Sequence, residues 1–186
     1  TVYGVTPNIK AMTEIEKMTD IEQTSQLFFI TYYTQHPLHH LLNLIDAYPV
    51  GGILLKGSPF PHKSELKKLT TTSQSYSKYP ILFAIDQEGG PIQTLADFST
   101  PTPNIQLGLT PSYNEVYSLA KKTGTYLREV GIQINFAPML DLNSQNSVIT
   151  RQRSFSPSPT ITSQLGIAYI NGLQSEQIVA TGKHFP

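Results

Sequence analysis

The 186 residues are enough for one domain with a substantial core and too few to make two expected. Apolar side chains make up 39% of the chain and charged ones 14%, with hydroxyl and amide groups filling much of the difference, which excludes an intrinsically disordered composition. Basic and acidic residues balance at zero net charge and the basic ones are scattered, arguing against a nucleic-acid partner, while the lack of cysteine rules out disulfides and thiolate metal sites but leaves the redox compartment open.

The first element runs from Met18 to Ile30. Thr19 and Glu22 have the spacing of a capping box that opens a helix, and the apolar run Leu27-Phe28-Phe29-Ile30 reads as a buried strand. Pro37 to Ala47 carries a helical pattern at Leu38, Leu41, Leu42 and Ile45, limited by Pro49. Gly51-Gly52 lead into a second buried strand, Ile53-Leu54-Leu55, bounded by Gly57 and Pro59. Lys63 to about Ser75 is helical, and Ile81 to Ile85 is a continuous apolar strand running into Asp86-Gln87-Glu88-Gly89-Gly90.

Pro91 to Pro111 has little periodicity and reads as a long surface loop. Ser112 to Val130 forms a helix stopped by Gly131. Ile132 to Pro138 is a strand with Met139-Leu140-Asp141-Leu142-Asn143 at its mouth, followed by an irregular segment holding Arg151, Arg153 and Phe155. Pro159 to about Ser175 is a helix, and a fifth strand opens at Ile178 and leads to Lys183-His184-Phe185-Pro186. No apolar run approaches the roughly 20 residues of a membrane-spanning helix, and no intact signal peptide is evident.

Five short apolar strands alternating with helices fit either an open doubly wound sheet or part of a (β/α)8 barrel. Three strands end in polar clusters: Asp86, Asp141 and Lys183-His184. In a barrel all three would share the C-terminal rim, where such folds place their sites.

Asp86 can accept two sugar hydroxyls at once, with glycines nearby that admit a ligand to the backbone, or it can cap the next element. Arg153 beside Phe155 offers a guanidinium fork and an aromatic ring, or simply a surface ion pair. Lys183 and His184, as neighbours on a strand, can divide between ligand contact and bracing, or be a satisfied histidine beside an exposed lysine. His36 and His40 have the spacing of two imidazoles on one helix face but lack an obvious third ligand, so solvated histidines are the expectation. No phosphate-binding glycine motif and no GxSxG elbow is present.

Taken in order, Asp86-Gln87-Glu88-Gly89-Gly90, Asn135-Phe136-Ala137-Pro138-Met139-Leu140-Asp141, Arg153-Ser154-Phe155-Ser156 and Lys183-His184-Phe185-Pro186 resemble glycoside hydrolase family 3. Within it they are most similar to the bacterial β-N-acetylhexosaminidase branch, whose members include β-N-acetylglucosaminidases. Ser25 to Phe29 and Gly51 to Leu55 look like the family's opening strands, so the resemblance covers the chain from about Met18. It implies an α/β fold: about five β/α units forming the N-terminal portion of a (β/α)8 TIM barrel, with 1–186 as an incomplete barrel domain.

The resemblance further implies that Asp86, Arg153, Lys183 and His184 bind the terminal sugar of an N-acetylglucosamine-containing saccharide. The implied reaction is retaining hydrolysis of cell-wall-derived glycans, as in peptidoglycan recycling, with no metal or organic cofactor. A bacterial cytoplasmic location and an exported or periplasmic one both fit. None of the catalytic residues is expected in this chain, because the family's acid/base loop and aspartate nucleophile follow the Lys-His-Phe-Pro motif.

Pro91 departs from the family pattern, which has arginine after the double glycine. Five units of eight would leave an open strand edge and exposed apolar faces, to be covered by further sequence, by a C-terminal fragment or second chain, or by self-association. Two other readings are a catalytically inactive remnant that binds sugar or a protein partner, and a family 3 β-glucosidase, disfavoured by the context of Lys183-His184.

Overall fold

The computed structural model describes residues 9–57, 62–95, 97–98, 102–143 and 147–184. Pro59, Phe185 and Pro186, which figure in the sequence patterns, lie outside them, as do parts of the segment from Pro91 to Pro111. The chain opens with helices α1 (Ile9–Glu16) and α2 (Asp20–Ser25), then alternates strand β1 (Phe29–Tyr33), helix α3 (Leu38–Ala47), strand β2 (Gly52–Lys56), helix α4 (Lys63–Tyr76) and strand β3 (Leu82–Ile85). A small antiparallel hairpin follows, β4 (Gln87–Gly89) with β5 (Ile92–Gln93), then helices α5 (Asn104–Leu109) and α6 (Tyr113–Glu129). Strand β6 (Ile134–Asn135), helix α7 (Pro159–Gln174) and strand β7 (Val179–Ala180) complete the described elements.

Strands β1, β2, β3, β6 and β7 lie side by side in that order and all pairs are parallel. The sequence leaves a doubly wound sheet and a barrel open; the strand order separates them. A doubly wound sheet reverses its direction of growth at a switch point. Here every new strand adds on the same side, as in a barrel wall.

Register explains the glycines before β2. Phe29 pairs with Gly52, and a Cβ on Gly52 would stand 2.1 Å from the Phe29 ring, so only glycine admits the ring there. The core lies between the sheet and its helices: Ile53, Leu55, Phe83 and Ile85 from the strands meet Leu66, Leu127, Leu165 and Leu173 from α4, α6 and α7, all essentially inaccessible to solvent. Helices α6 and α7 approach closely because Gly172 lacks a side chain; a Cβ there would sit 2.5 Å from the Tyr117 carbonyl oxygen and 2.7 Å from the Ala120 Cβ.

The capping box forms as its spacing predicts. The Glu22 amide donates to Thr19 Oγ1 at 3.3 Å, and the Thr19 amide donates to Glu22 Oε2 at 2.8 Å. Helix α4 has no side-chain cap from its own His62; Asp97, from the segment beyond the hairpin, accepts from the Lys63 amide at 2.7 Å and from the Tyr126 hydroxyl. Burial raises the Asp97 pKa, but those two hydrogen bonds, with its own backbone amide and nearby His62, outweigh it and hold the carboxyl below its ordinary value.

Three expectations need correction. Leu27 and Phe28 are 84% and 58% exposed rather than buried, because β1 is an edge strand with nothing beyond it among the described residues. The segment from Pro91 to Pro111 is not a simple loop: it contains β5 and α5, a helix of six residues whose Asn104 and Leu107 are buried. The last two strands are also shorter than their apolar runs, with an isolated bridge from Met139 to Lys183 extending the pairing past β6 and β7.

Candidate active-site wall

The site begins with Gln87, which is fully buried at the start of β4. Its amide donates to Asn135 Oδ1 at 3.0 Å, and its carbonyl accepts from Asn135 Nδ2 at 2.9 Å and from the Tyr169 hydroxyl at 3.0 Å. Its own Oε1 accepts from the amides of Thr94 and Leu95 at 3.0 and 3.2 Å, tying back the hairpin. Burial pushes the Tyr169 phenol well above its ordinary range, so it stays a donor. Strand β6 and helix α7 thus fix the backbone between two carboxylates, Asp86 and Glu88.

Glu88 is 1% exposed and fully engaged. Arg153 donates to it through Nε and Nη2, each at 2.8 Å, and Lys183 forms a short ion pair with the same Oε1. Glu88 holds the Arg153 pKa above its ordinary value, outweighing the opposing effect of burial. Such a two-pronged, charge-assisted pair fixes the plane of the guanidinium. Lys183 also donates to Asp86 Oδ1 at 2.8 Å, and Lys56 stands 3.8 Å from Asp86 Oδ2.

These partners assign different tasks to the two acids. Both Glu88 oxygens are occupied and shielded, so Glu88 acts as a brace. The Asp86 carboxylate is 22% exposed and, among the described residues, its Oδ2 meets only the more distant lysine, leaving it able to accept hydroxyls. Arg153 retains the Nη1 donors, which Glu88 does not engage.

His184 stands apart from this cluster. Its Nδ1 lies 2.6 Å from Asp141 Oδ2 and its amide donates to Asp141 Oδ1 at 3.3 Å. The Lys183–His184 peptide is cis, and the Leu140 amide donates to the Lys183 carbonyl at 2.6 Å. Of the four residues singled out in the sequence, Asp86, Arg153 and Lys183 therefore gather in one network, and His184 sits beside it with its own carboxylate.

Phe155 is not an exposed recognition ring: it is fully buried, and α5 packs so closely on its backbone that a Cβ on Gly108 would meet the Phe155 carbonyl oxygen at 1.7 Å. Asn104 Nδ2 donates to the Arg153 carbonyl at 2.7 Å, so α5 steadies the segment that carries the guanidinium. His39 and His40 contact edge to face at 4.3 Å, while His36 lies by Tyr32 and Tyr33. Among the described residues no three His, Cys, Asp or Glu side chains gather as they would around a metal.

Two residues escaped the sequence reading. Glu88 was visible as a carboxylate two positions from Asp86, a spacing that returns to the same side of an extended chain, but its bracing role depends on distant partners. Lys56 follows the apolar run of β2 and reaches the site only through the pairing of β2 with β3.

Comparison with known proteins decides the family. The Glycosyl hydrolase family 3 N terminal domain matches residues 13–186. The chain belongs to glycoside hydrolase family 3. Beta-hexosaminidase A of Pseudoalteromonas piscicida is 33% identical over 157 residues, covering 78% of this chain and 26% of that protein. A family 3 relative from Cellulomonas fimi, named beta-N-acetylglucosaminidase/beta-glucosidase, is 31% identical over 176 residues, covering 94% of this chain and 30% of that protein.

A solved family 3 β-N-acetylglucosaminidase from Paenibacillus sp. str. FPU-7 superposes with a TM-score of 0.81 at 29% identity, covering 91% of this chain and 33% of that one. The chain therefore spans about a third or less of these relatives. The fold is the N-terminal portion of a family 3 TIM barrel, and the network of Asp86, Glu88, Arg153 and Lys183 belongs to its wall.

Proposed function

We propose that this chain supplies part of the sugar-binding wall of a β-N-acetylglucosaminidase that removes terminal β-linked N-acetylglucosamine from cell-wall-derived glycans. The observation that carries the proposal is the Asp86–Lys183–Glu88–Arg153 network at the strand ends, in a family 3 chain whose relatives include proteins named beta-hexosaminidase. The paired charges suit a neutral sugar. Asp86 accepts hydroxyl protons, Lys183 and Arg153 donate to hydroxyl or carbonyl oxygens, and His184 adds a contact at the rim.

Hydrolysis with retention requires a carboxylate nucleophile and a separate acid/base group. We place both on residues outside 1–186, so this chain's part is to bind and orient. No step assigned to Asp86, Arg153, Lys183 or His184 calls for a metal or organic cofactor. A C-terminal fragment or second chain that completes the barrel would bring the missing groups to the same rim.

Two measurements test the proposal. The protein is titrated calorimetrically with N-acetylglucosamine, for which saturable binding is expected. It is also mixed with its C-terminal complement and assayed on an aryl N-acetyl-β-glucosaminide; a folded, complete barrel that fails to turn this substrate over would refute the hexosaminidase reading. Binding without turnover would favour a catalytically inactive sugar-binding remnant. The printed name of the Cellulomonas fimi relative favours one second reading, activity on β-glucosides, so an aryl β-glucoside belongs in the same assay.

A further inference from the structure

We infer that Asp141 is a positioning residue that fixes the ring, and the tautomer, of His184. This rests on the proposed sugar site for its use, but the contact itself is independent of that reading. Asp141 ends the short stretch that follows β6, and His184 lies just beyond β7. The two strands are paired in parallel, and the Met139–Lys183 bridge carries the pairing forward to bring these positions together.

The carboxylate grips His184 at two points. Oδ1 accepts from the His184 amide at 3.3 Å, and Oδ2 lies 2.6 Å from Nδ1. An ionised carboxylate can only accept hydrogen bonds, so Nδ1 must be the protonated ring nitrogen. Nε2 is then the nitrogen left to meet a ligand, and in the neutral ring it is an acceptor. The backbone contact fixes the orientation of the side-chain plane, which decides the atom facing the imidazole once the two ends of the group differ, as in an amide.

His184 needs such a clamp. Its side chain is 53% exposed, so packing alone does not choose its rotamer, whereas Lys183 is 14% exposed and held by two acids. Adjacent residues thus use separate carboxylates: Asp86 and Glu88 hold the ammonium, and Asp141 holds the imidazole. The sugar would meet a lysine donor and a histidine acceptor of fixed identity.

The isosteric substitution Asp141→Asn makes this testable. Its Oδ1 can keep accepting from the His184 amide, which places the Asn amide group against Nδ1. That group donates, so the imidazole must accept at Nδ1 and carry its proton on Nε2. The polarity presented to the ligand is reversed without removing a side chain.

The ring tautomer is read by long-range nitrogen–proton correlation spectroscopy on nitrogen-15-labelled protein at a pH where the ring is neutral. His184 signals are assigned by their loss in His184→Gln. The Nδ1–H form is expected in the unsubstituted protein and the Nε2–H form in Asp141→Asn, with Asp141→Ala as a second variant that also loses the Nδ1–H preference. An Nε2–H ring in the unsubstituted protein, or an unchanged tautomer in both variants, would overturn the inference.

N-acetylglucosamine affinity is measured on the same samples. It is expected to fall about tenfold in Asp141→Asn, on the order of one lost hydrogen bond. An inverted tautomer with unchanged affinity would overturn the presentation of Nε2 to sugar. Failure of all the samples, including unsubstituted protein, to bind the sugar would count against the glycosidase reading while the tautomer still decides the role of Asp141.

Discussion

Glu88 and Asp86 stand two residues apart and share Lys183, yet their removal should have opposite signatures. Glu88→Ala removes the buried carboxylate and deprives the part-buried Arg153 of both hydrogen bonds to it. A loss of about 2–4 kcal/mol is expected, below the full cost of a wholly buried unpaired charge because Arg153 is partly exposed, measured from urea unfolding midpoints. Asp86→Ala leaves Lys183 paired with Glu88 and is expected to change stability by about 1 kcal/mol or less, because its carboxylate is partly exposed. The same variant should lose saturable N-acetylglucosamine binding in calorimetry. A large stability loss with intact binding would reverse the assigned tasks.

The sequence makes Asp86 and Lys183 conspicuous because each follows an apolar strand. Glu88 is different. Its partner Arg153 lies 65 residues away, and a bracing role cannot be read from one side of such a pair. Phe155 shows the opposite failure: an aromatic next to an arginine suggested a recognition surface, whereas its apolar area is better satisfied in the core.

At the scale of single elements, α2 depends on contacts at its first turn. Lys78 hydrogen-bonds the Glu22 carboxylate and, with the Thr19 amide, depresses its pKa from an ordinary 4.5 to about 2. Because the folded value is depressed, this stabilisation is present above about pH 4.5 and fades as pH falls toward about 2. Glu22→Gln should therefore flatten the dependence of unfolding midpoint on pH across that window. An identical slope in both proteins would contradict the contact.

Helices α6 and α7 offer a second test. Gly172→Ala forces a methyl group against the Tyr117 carbonyl and Ala120, and should destabilise by about 1–3 kcal/mol. Thermal unfolding would show it. The capping box was legible because all its atoms lie within four residues. The cap that Asp97 provides for α4 was not, since 34 residues separate the partners, and six-residue α5 is too short for periodicity to declare it.

Across the whole molecule, alternation of strands and helices was readable from apolar periodicity, but the path of the sheet was not readable from periodicity alone. Apolar runs specify burial without specifying neighbours; the barrel was implied by the resemblance of the strand-end motifs to a family, and the order β1-β2-β3-β6-β7 agrees with it. The edge at β1 also carries an apolar groove of about 470 Å³, lined by residues including Ile21, Phe28, Ile30 and Leu44. It lies away from the acidic and basic network and reflects uncovered sheet and helix faces. A polypeptide limited to residues 1–186 is expected to associate as its concentration rises, with Phe28→Lys weakening the effect. Sedimentation at several concentrations would check this, and a constant mass of 20.6 kDa would refute it.

The shared lysine has one more consequence, in time rather than space. During synthesis, Asp86 leaves the ribosome 97 residues ahead of Lys183. Until Lys183 docks, Asp86 has the more distant Lys56 beside it, 3.8 Å from Oδ2, while Glu88 can already hold Arg153. Docking Lys183 requires a contact between distant parts of the chain, the kind that forms late because loop closure must precede its reward. The guanidinium brace can therefore form before Lys183 is made, and the lysine joins afterwards as the link between the two acids.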